Sequence, residues 1–178
     1  FDYLTFLDDD DEFTEDYFEE ACRVIRGTPG YRWYLSNNCG ERKLSTRDIT
    51  EAGEFDFIDD YIYGKQRGDK AHLLSSDLLK DIRLDDRFRS SHRWPFFIKL
   101  TDCSKAWAFP HESVRKSYLE GGITKGGGRK KVKTPIQIRY QFMKHWNVIR
   151  VRPFKLVAYR YFLLEVLKAP GRFLKLWF

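Results

Sequence analysis

The side chains best suited to catalysis in this sequence are Cys103 and His111. Cys103 follows Asp102, and His111 stands eight residues further along the chain. A thiol becomes an effective nucleophile when a neighbouring base accepts its proton and an acid orients that base. The sequence does not place these groups together, and it lacks the GxSxG pattern of a serine nucleophile. We therefore interpret Cys103 as a small buried cysteine and His111 as a surface histidine, and we predict that the chain is not an enzyme.

Metal and nucleotide sites are not indicated either. A metal needs His, Cys or carboxylate ligands at coordinating spacing, but the histidines are scattered and no HxH, HExxH or CxxC pattern occurs. A phosphate-binding P-loop requires lysine after the second glycine of GxxxxGK[ST]. The segments that begin at Gly121 and Gly122 both have glycine at that position. We predict no metal and no cofactor.

The strongest functional signal is a gradient of charge along the chain. Residues 1–60 hold 17 acidic and 6 basic residues, whereas residues 121–178 hold one acidic and 14 basic residues. A chain polarised in this way can fold back on itself or contact two partners of opposite charge. The basic end suits anionic lipid or the phosphates of RNA. The candidate contact residues are Lys125, Arg129, Lys130, Lys131, Lys133, Arg139, Lys144, Arg150 and Arg152.

The last six residues of the chain are unusually apolar for a terminus. Terminal residues usually fray unless they are held in place, and each large apolar side chain that is buried contributes roughly 1.5–3 kcal/mol. We therefore expect this segment to dock on the protein's own core or on another subunit. The candidate partner-docking residues are Phe173, Leu174, Leu176, Trp177 and Phe178.

The first half of the chain shows few clear secondary-structure signals. A helix is predicted from an N-cap at Thr14 to an end at Gly27. Tyr31–Leu35 alternates in polarity and predicts a strand, and Asn37–Gly40 has turn chemistry. The pattern of residues 51–63 indicates neither a helix nor a strand.

Proline positions guide the assignment of the middle of the chain. A helix is predicted from Ser75 or Ser76 to about Phe88, and another from Pro110 to Gly121. Between them, Trp94–Ile98 is predicted to be extended, because the residue before a proline avoids helical geometry.

The C-terminal third carries conflicting signals. Residues 134–152 open with a Thr-Pro-Ile-Gln capping pattern that favours a helix, but residues 136–142 alternate strictly in polarity. We favour a strand there, with a hairpin turn near residues 145–147. Residues 154–168 predict a helix that is apolar on all sides and ends at Pro170–Gly171, and such a helix is buried or covered by a neighbour.

These elements predict an α+β or irregular protein, with short helices, a small sheet, and extended N-terminal and C-terminal segments. Residues 1–120 form an acidic-to-neutral mixed domain, residues 121–133 a basic glycine-rich linker, and residues 134–178 a basic, aromatic-rich C-terminal segment. No stretch reaches the ~18 apolar residues of a membrane span.

The function that fits this organisation is a non-catalytic accessory subunit of a large multiprotein assembly. We favour a mitochondrial energy-converting complex, ATP synthase or respiratory chain, with the chain peripheral to the inner membrane or in the matrix. The odd number of cysteines, without CxxC spacing, favours a reducing compartment. The start at Phe1, without a methionine, indicates either that the sequence begins late or that a leader was removed, and a removed targeting leader fits a mitochondrial protein. The alternative is a ribosomal protein, including a mitoribosomal one, that binds RNA. Predicted partners are other subunits, anionic lipid or, in the alternative, RNA.

Overall fold

The fold combines a small mixed sheet with short helices, as expected from the sequence. At residues 135–141 and 169–177 the structure describes the helical backbone without the side chains. The computed structural model describes residues 2–40, 48–64, 66, 69–80, 82, 94–117 and 135–177.

The sheet has six strands among the described residues. Its order is β1-β5-β3-β6-β2, and β4 pairs with β6 as well. β3 and β6 run parallel to each other, whereas the other pairs are antiparallel. The strands are β1 (Tyr3–Thr5), β2 (Asp11–Phe13), β3 (Trp33–Gly40), β4 (Gly53–Phe55), β5 (Lys70–Ser75) and β6 (Ala106–Lys116).

Four α-helices and two short turns of helix accompany the sheet in the described part of the chain. The prediction of an α+β class with short helices and a small sheet is confirmed. The α-helices are α1 (Tyr17–Gly27), α2 (Trp94–Cys103), α3 (Pro135–Val151) and α4 (Leu156–Trp177). The short turns are a π-helical turn (Phe57–Ile62) and a 3₁₀ turn (Ser76–Leu79).

Helix α1 and strand β3 lie where the sequence predicted a helix and a strand. The N-cap position of α1 is Asp16, not Thr14. The Thr14 hydroxyl instead donates a hydrogen bond of 2.9 Å to the carbonyl oxygen of Glu112, which ties the start of the helix to β6. The predicted turn at Asn37–Gly40 is wrong, because these residues continue β3. The Asn37 amide exchanges two hydrogen bonds of 2.9 Å with the backbone of Ile49.

Two proline-based predictions are wrong. Trp94–Ile98 is not extended but begins α2, and Pro95 stands in its first turn. The N–H groups of the first turn have no acceptor within the helix, so the missing N–H of Pro95 costs no helical hydrogen bond. Pro110 does not begin a helix but lies inside β6. The β3–β6 register is irregular between Ala108 and Glu112, and β4 and β2 pair with β6 only on either side of Pro110. A proline is tolerated in a strand at such a break.

The preferred strand over residues 134–152 is also wrong, because Pro135–Val151 forms α3. This helix packs against α2 on one side and α4 on the other. Because α3 is covered on two sides, its apolar residues are distributed around the helix, and the helical period of 3.6 residues is not visible in the sequence. Helix α4 continues beyond Pro170–Gly171 to Trp177, although the sequence predicted its end there. A proline inside a helix lowers its stability by about 3 kcal/mol and kinks it, but the helix can continue beyond the kink.

The predicted helix from Ser75 or Ser76 is reduced to a single 3₁₀ turn, since β5 includes Ser75. Residues 80 and 82 are not helical, and residues 81 and 83–88 of that predicted helix lie outside the described residues.

Both faces of the sheet are buried. Trp33 and Leu35 project into a core formed with α2 and the π-helical turn, whereas Tyr34 projects to the opposite face, against Tyr17 and Ala21 of α1. Successive side chains of a strand point to opposite faces, so the alternation within β3 serves two cores. A third cluster joins the C-terminal helices to this body through Ile58, Ile98, Val148, Ile149 and Ala158.

Gly64 follows the π-helical turn at a position that has no room for a side chain. An added Cβ would lie 2.3 Å from the carbonyl oxygens of both Asp59 and Asp60. We expect Gly64→Ala to lower the free energy of unfolding by about 1–3 kcal/mol, as overpacking does. Urea denaturation followed by circular dichroism measures this loss. Gly27→Ala is the control, because an added Cβ there meets nothing within 4 Å. Equal losses in the two variants would contradict the steric explanation.

Candidate functional site

The four-residue connection between α3 and α4, residues 152–155, is held to the body by charge. One guanidinium nitrogen of Arg152 lies 2.6 Å from a carboxylate oxygen of Asp56, and Lys155 forms an ion pair of 2.5 Å with Asp59. The other oxygen of Asp56 accepts the backbone N–H groups of Ile58 and Asp59 and so caps the π-helical turn. Part of the acidic half of the chain therefore binds part of the basic half.

A stack of three rings fixes the middle of the two helices. His145 of α3 is buried, and its Nδ1 lies 2.9 Å from the hydroxyl oxygen of Tyr63. The rings of Tyr63 and Tyr161 stack on that of His145, with centroids 5.8 and 5.5 Å away. Burial lowers the pKa of His145 to about 4, and Lys144 adds to this effect while Glu165 opposes it. Burial also raises the pKa of Tyr63, so its hydroxyl group is uncharged at neutral pH.

An apolar contact supports the same arrangement. Val148 of α3 and Ala158 of α4 are fully buried and pack with Ile58 and Ile98 of the body. These contacts, the ion pairs and the ring stack together determine which side of α4 turns inward. The opposite side of the helix is turned toward solvent.

That solvent-facing side of α4 is apolar. The residues follow each other at spacings of three and four, which places them along one side of the helix. Their exposed fractions range from 39% to 81% and together equal about three whole side chains. Phe154, in the connection before α4, is 94% exposed as well. We define the α4 outer face as Leu156, Tyr159, Leu163, Val166 and Leu167.

Four of the predicted basic contact residues can be located, each in a different setting. Arg139 lies in the part of α3 for which only the backbone is described. The ammonium of Lys144 stands 5.6 Å from the ring centroid of Trp94, a cation–π distance. Arg150 is exposed, and Arg152 is used within the chain to bind Asp56. The remaining candidates, Lys125, Arg129, Lys130, Lys131 and Lys133, lie outside the described residues.

The predicted partner-docking residues lie at the end of the same helix. The structure describes the backbone of Phe173, Leu174, Leu176 and Trp177 within α4, and Phe178 lies outside the described residues. The sequence pattern predicted docking by this terminal segment and not by the α4 outer face. The signal was present in the all-round apolar pattern of residues 154–168, which we interpreted only as burial.

The two side chains considered for catalysis lie on different elements, Cys103 on α2 and His111 on β6. Cys103 is exposed at the end of α2, so its interpretation as a buried cysteine was wrong. His111 lies in β6, with Nε2 3.5 Å from a carboxylate oxygen of Asp16 and its ring stacked on Phe109. Within the described residues, no hydrogen bond joins the Cys103 thiol to a histidine, and no cluster of His, Cys, Asp and Glu is arranged to hold a metal ion.

Two lysines of the sheet form ion pairs with carboxylates of the same chain. Lys70 is buried beside Asp48, with a separation of 3.7 Å, and burial lowers its pKa. Lys116 lies 3.1 Å from Asp69 and 3.5 Å from Asp11, whose side chain is only 6% exposed. Asp11 belongs to a run of five acidic residues, 8–12, so at least one member of this run is bound inside the fold and not solvated.

Comparisons with known proteins identify no relatives. No protein-family profile matches the chain, and neither a curated protein nor a solved structure resembles it significantly. None of the helices in the described part of the chain combines the length and the apolar character required to cross a bilayer. The α4 outer face is an exposed apolar feature of the described structure, and a functional interpretation can start from it.

Proposed function

We propose that this protein is a non-catalytic accessory subunit of a large multiprotein assembly and that it docks through the α4 outer face. The observation that carries the proposal is the exposure of this face on a helix whose other side contacts the body through Ala158 and Tyr161. Contiguous apolar patches of this kind mark interaction sites on soluble proteins. A loosely attached helix could turn its apolar side inward, but the contacts of Asp56, His145 and Ala158 oppose that rotation.

The energetics favour an occupant within an assembly. Burying the α4 outer face completely would contribute roughly 4–9 kcal/mol, at 1.5–3 kcal/mol for each whole side chain. The loss of free motion on association costs about 4–15 kcal/mol. One helix face is therefore about balanced against that cost. Further contacts with the same assembly, from other parts of the chain, would tip the balance toward stable binding.

The assembly that we favour is a mitochondrial energy-converting complex, ATP synthase or respiratory chain, at the matrix side of the inner membrane. Its support is the composition of the C-terminal third, where 14 basic residues accompany one acidic residue. Basic segments of this kind suit both acidic subunits and the anionic surface of a membrane. Catalysis would reside in other subunits.

A ribosomal or mitoribosomal protein is the second candidate. It is favoured by the exposed pair Trp146 and Arg150, one turn apart on α3. Aromatic and basic side chains that alternate on a surface stack on bases and neutralise phosphates. RNA binding would weaken steeply with salt, whereas an apolar subunit interface would respond little.

Native purification of the tagged protein tests this proposal. We expect the subunits of a single assembly to remain bound at high salt and after nuclease treatment, and mass spectrometry identifies them. The variant Leu163→Glu/Leu167→Glu is expected to lose this set, because two charges would be buried at the docking surface. The matched control Leu4→Glu/Leu7→Glu changes exposed leucines on the first strand and the loop after it, and should retain the set.

Two outcomes would contradict the proposal. Recovery of ribosomal proteins that are released by nuclease or salt would favour the second candidate. Recovery of the same partners by the wild type and by the α4 variant would remove the α4 outer face as the docking surface.

A further inference from the structure

One short segment of the body, residues 56–63, makes three polar contacts to the C-terminal helices. Two carboxylates of this segment pair with Arg152 and Lys155 of the connection between α3 and α4. The hydroxyl oxygen of Tyr63, at the end of the segment, lies 2.9 Å from Nδ1 of His145. Both ion pairs are partly exposed, and exposed pairs contribute little to stability by themselves. The polar attachment at this segment is therefore weak unless the contact of His145 supports it.

The apolar attachment of the helices is separate from the two cores of the sheet. In the third cluster, Val148, Ile149 and Ala158 of the helices pack on Ile58 and Ile98 of the body. Among the described residues, neither core of the sheet includes a side chain of α3 or α4. The sheet therefore keeps both of its cores if the helices move away. Regions that share few buried contacts with the rest of a protein open separately from it.

Helices α3 and α4 also contact each other. The ring centroid of Phe162 on α4 lies 6.0 Å from that of Phe142 and 5.9 Å from that of Trp146, both on α3. Tyr161 stacks on His145 with centroids 5.5 Å apart. These contacts lie within the pair of helices and do not involve the body, so the two helices can move together.

His145 is the buried titratable group of this attachment. Tyr63 on the body and Tyr161 on α4 cover its ring. Two charged groups face it, Lys144 on α3, which opposes protonation, and Glu165 on α4, which favours it. The side chains that α2 contributes to the neighbouring cluster are apolar. A positively charged ring would need water, which the docked position excludes and an open position would supply.

We propose that α3 and α4 leave the body as one unit when His145 takes up a proton, while the sheet and its two cores stay folded. Well above pH 6.5 the ring is neutral whether the helices are docked or not, and docking does not depend on this group. As the pH falls toward 4, the solvated ring of the undocked state takes up a proton that the docked state excludes, so docking weakens.

The unit that moves carries the α4 outer face. At neutral pH the docked helices hold this face in one orientation relative to the sheet. Acid would change that orientation without unfolding the body. The inference does not depend on what binds the face.

Hydrogen–deuterium exchange of the full-length protein at pH 7 and pH 4, measured by mass spectrometry, tests the inference. After correction for intrinsic exchange rates, peptides from residues 142–168 should be less protected than peptides from β3 and β5 at both pH values. Their protection should fall by about a hundredfold between pH 7 and pH 4. Low concentrations of urea should reduce the protection of the sheet more steeply than that of the helices, because global unfolding exposes more surface.

The variant His145→Gln assigns the effect to the histidine. It should keep the wild-type difference between helices and sheet at pH 7 and lose most of the hundredfold fall at pH 4. The matched control is His111→Gln, which changes a histidine of β6 and should retain that fall.

Three results would overturn the inference. Equal protection of the helices and the sheet, with the same dependence on urea, would show that the molecule opens as one unit. A fall in protection that persists in His145→Gln would show that other groups cause it. Titration of the His145 ring near pH 6.5 in the wild type, followed by nuclear magnetic resonance while the helices stay protected, would show that protonation does not require undocking.

Discussion

Replacing Trp33 with alanine is expected to lower the free energy of unfolding by about 3–5 kcal/mol, the usual cost of removing a large aromatic side chain from a core. Trp33 is completely buried in β3. Its ring packs on Phe57 and Phe97 with centroids 5.5 and 5.9 Å away. Its indole N–H donates a hydrogen bond of 3.2 Å to Nδ1 of His72. Removing the ring would open a cavity between the sheet and α2 and leave that nitrogen without its donor.

Urea denaturation followed by circular dichroism measures the loss and does not depend on tryptophan fluorescence. Trp146→Ala is the matched control, because Trp146 is half exposed on α3 and should lose less than about 1 kcal/mol. Trp33→Phe should fall between the two, since it keeps an aromatic ring but lacks the indole donor. Equal losses for Trp33→Ala and Trp146→Ala would show that the central core does not lie where the structure has it.

Acidification from pH 7 to pH 4 is expected to destabilise the protein through His145 by about 3 kcal/mol. The pKa of His145 is about 4 in the folded protein, against about 6.5 in an unfolded chain. Well above pH 6.5 the histidine is neutral in both states and contributes no pH dependence. Between pH 6.5 and 4 the unfolded chain takes up a proton that the folded protein excludes, so stability falls as the pH falls.

The groups around His145 determine this shift. Tyr63 and Tyr161 cover the ring and stay neutral in this range, Lys144 opposes protonation, and Glu165 favours it weakly. Burial is the largest cause, because the buried ring lacks the water that would solvate a charge.

The variant His145→Gln separates this effect from the titration of carboxylates. Glutamine keeps a hydrogen-bonding group near the Tyr63 hydroxyl but does not titrate. Its free energy of unfolding should fall by about 3 kcal/mol less than that of the wild type between pH 7 and pH 4. Parallel pH profiles for the two proteins would show that His145 is not protected from protonation in the folded state.

Local signals in the sequence were sufficient for the elements that stand alone. Helix α1 has its acids at the start and a glycine at its end, and Trp33–Leu35 alternates between two cores, so both were predicted. The same rules failed for α2, β6 and α3. Pro110 is accommodated by a break in strand pairing, and α3 is covered on two sides, and neither circumstance is visible in a window of neighbouring residues.

The candidate site was predicted only in part, because the exposure of a residue also depends on distant parts of the chain. The apolar character of residues 154–168 was evident, but exposure depends on which residues α3, the π-helical turn and α2 cover. The basic character of Arg150 and Arg152 was also evident. Only the fold shows that Arg152 binds Asp56, whereas Arg150 forms no ion pair with any residue that the structure describes.

The sequence alone determined the class of fold, the charge gradient and the apolar character of the C-terminal helix, because these properties are sums over residues or short-range periodicities. The tertiary structure decided which half of α4 is exposed and that Arg152 and Lys155 bind carboxylates of the same chain. Both depend on contacts between residues about a hundred positions apart, such as Asp56 with Arg152 and Tyr63 with His145. Such long-range contacts leave no local pattern in a single sequence.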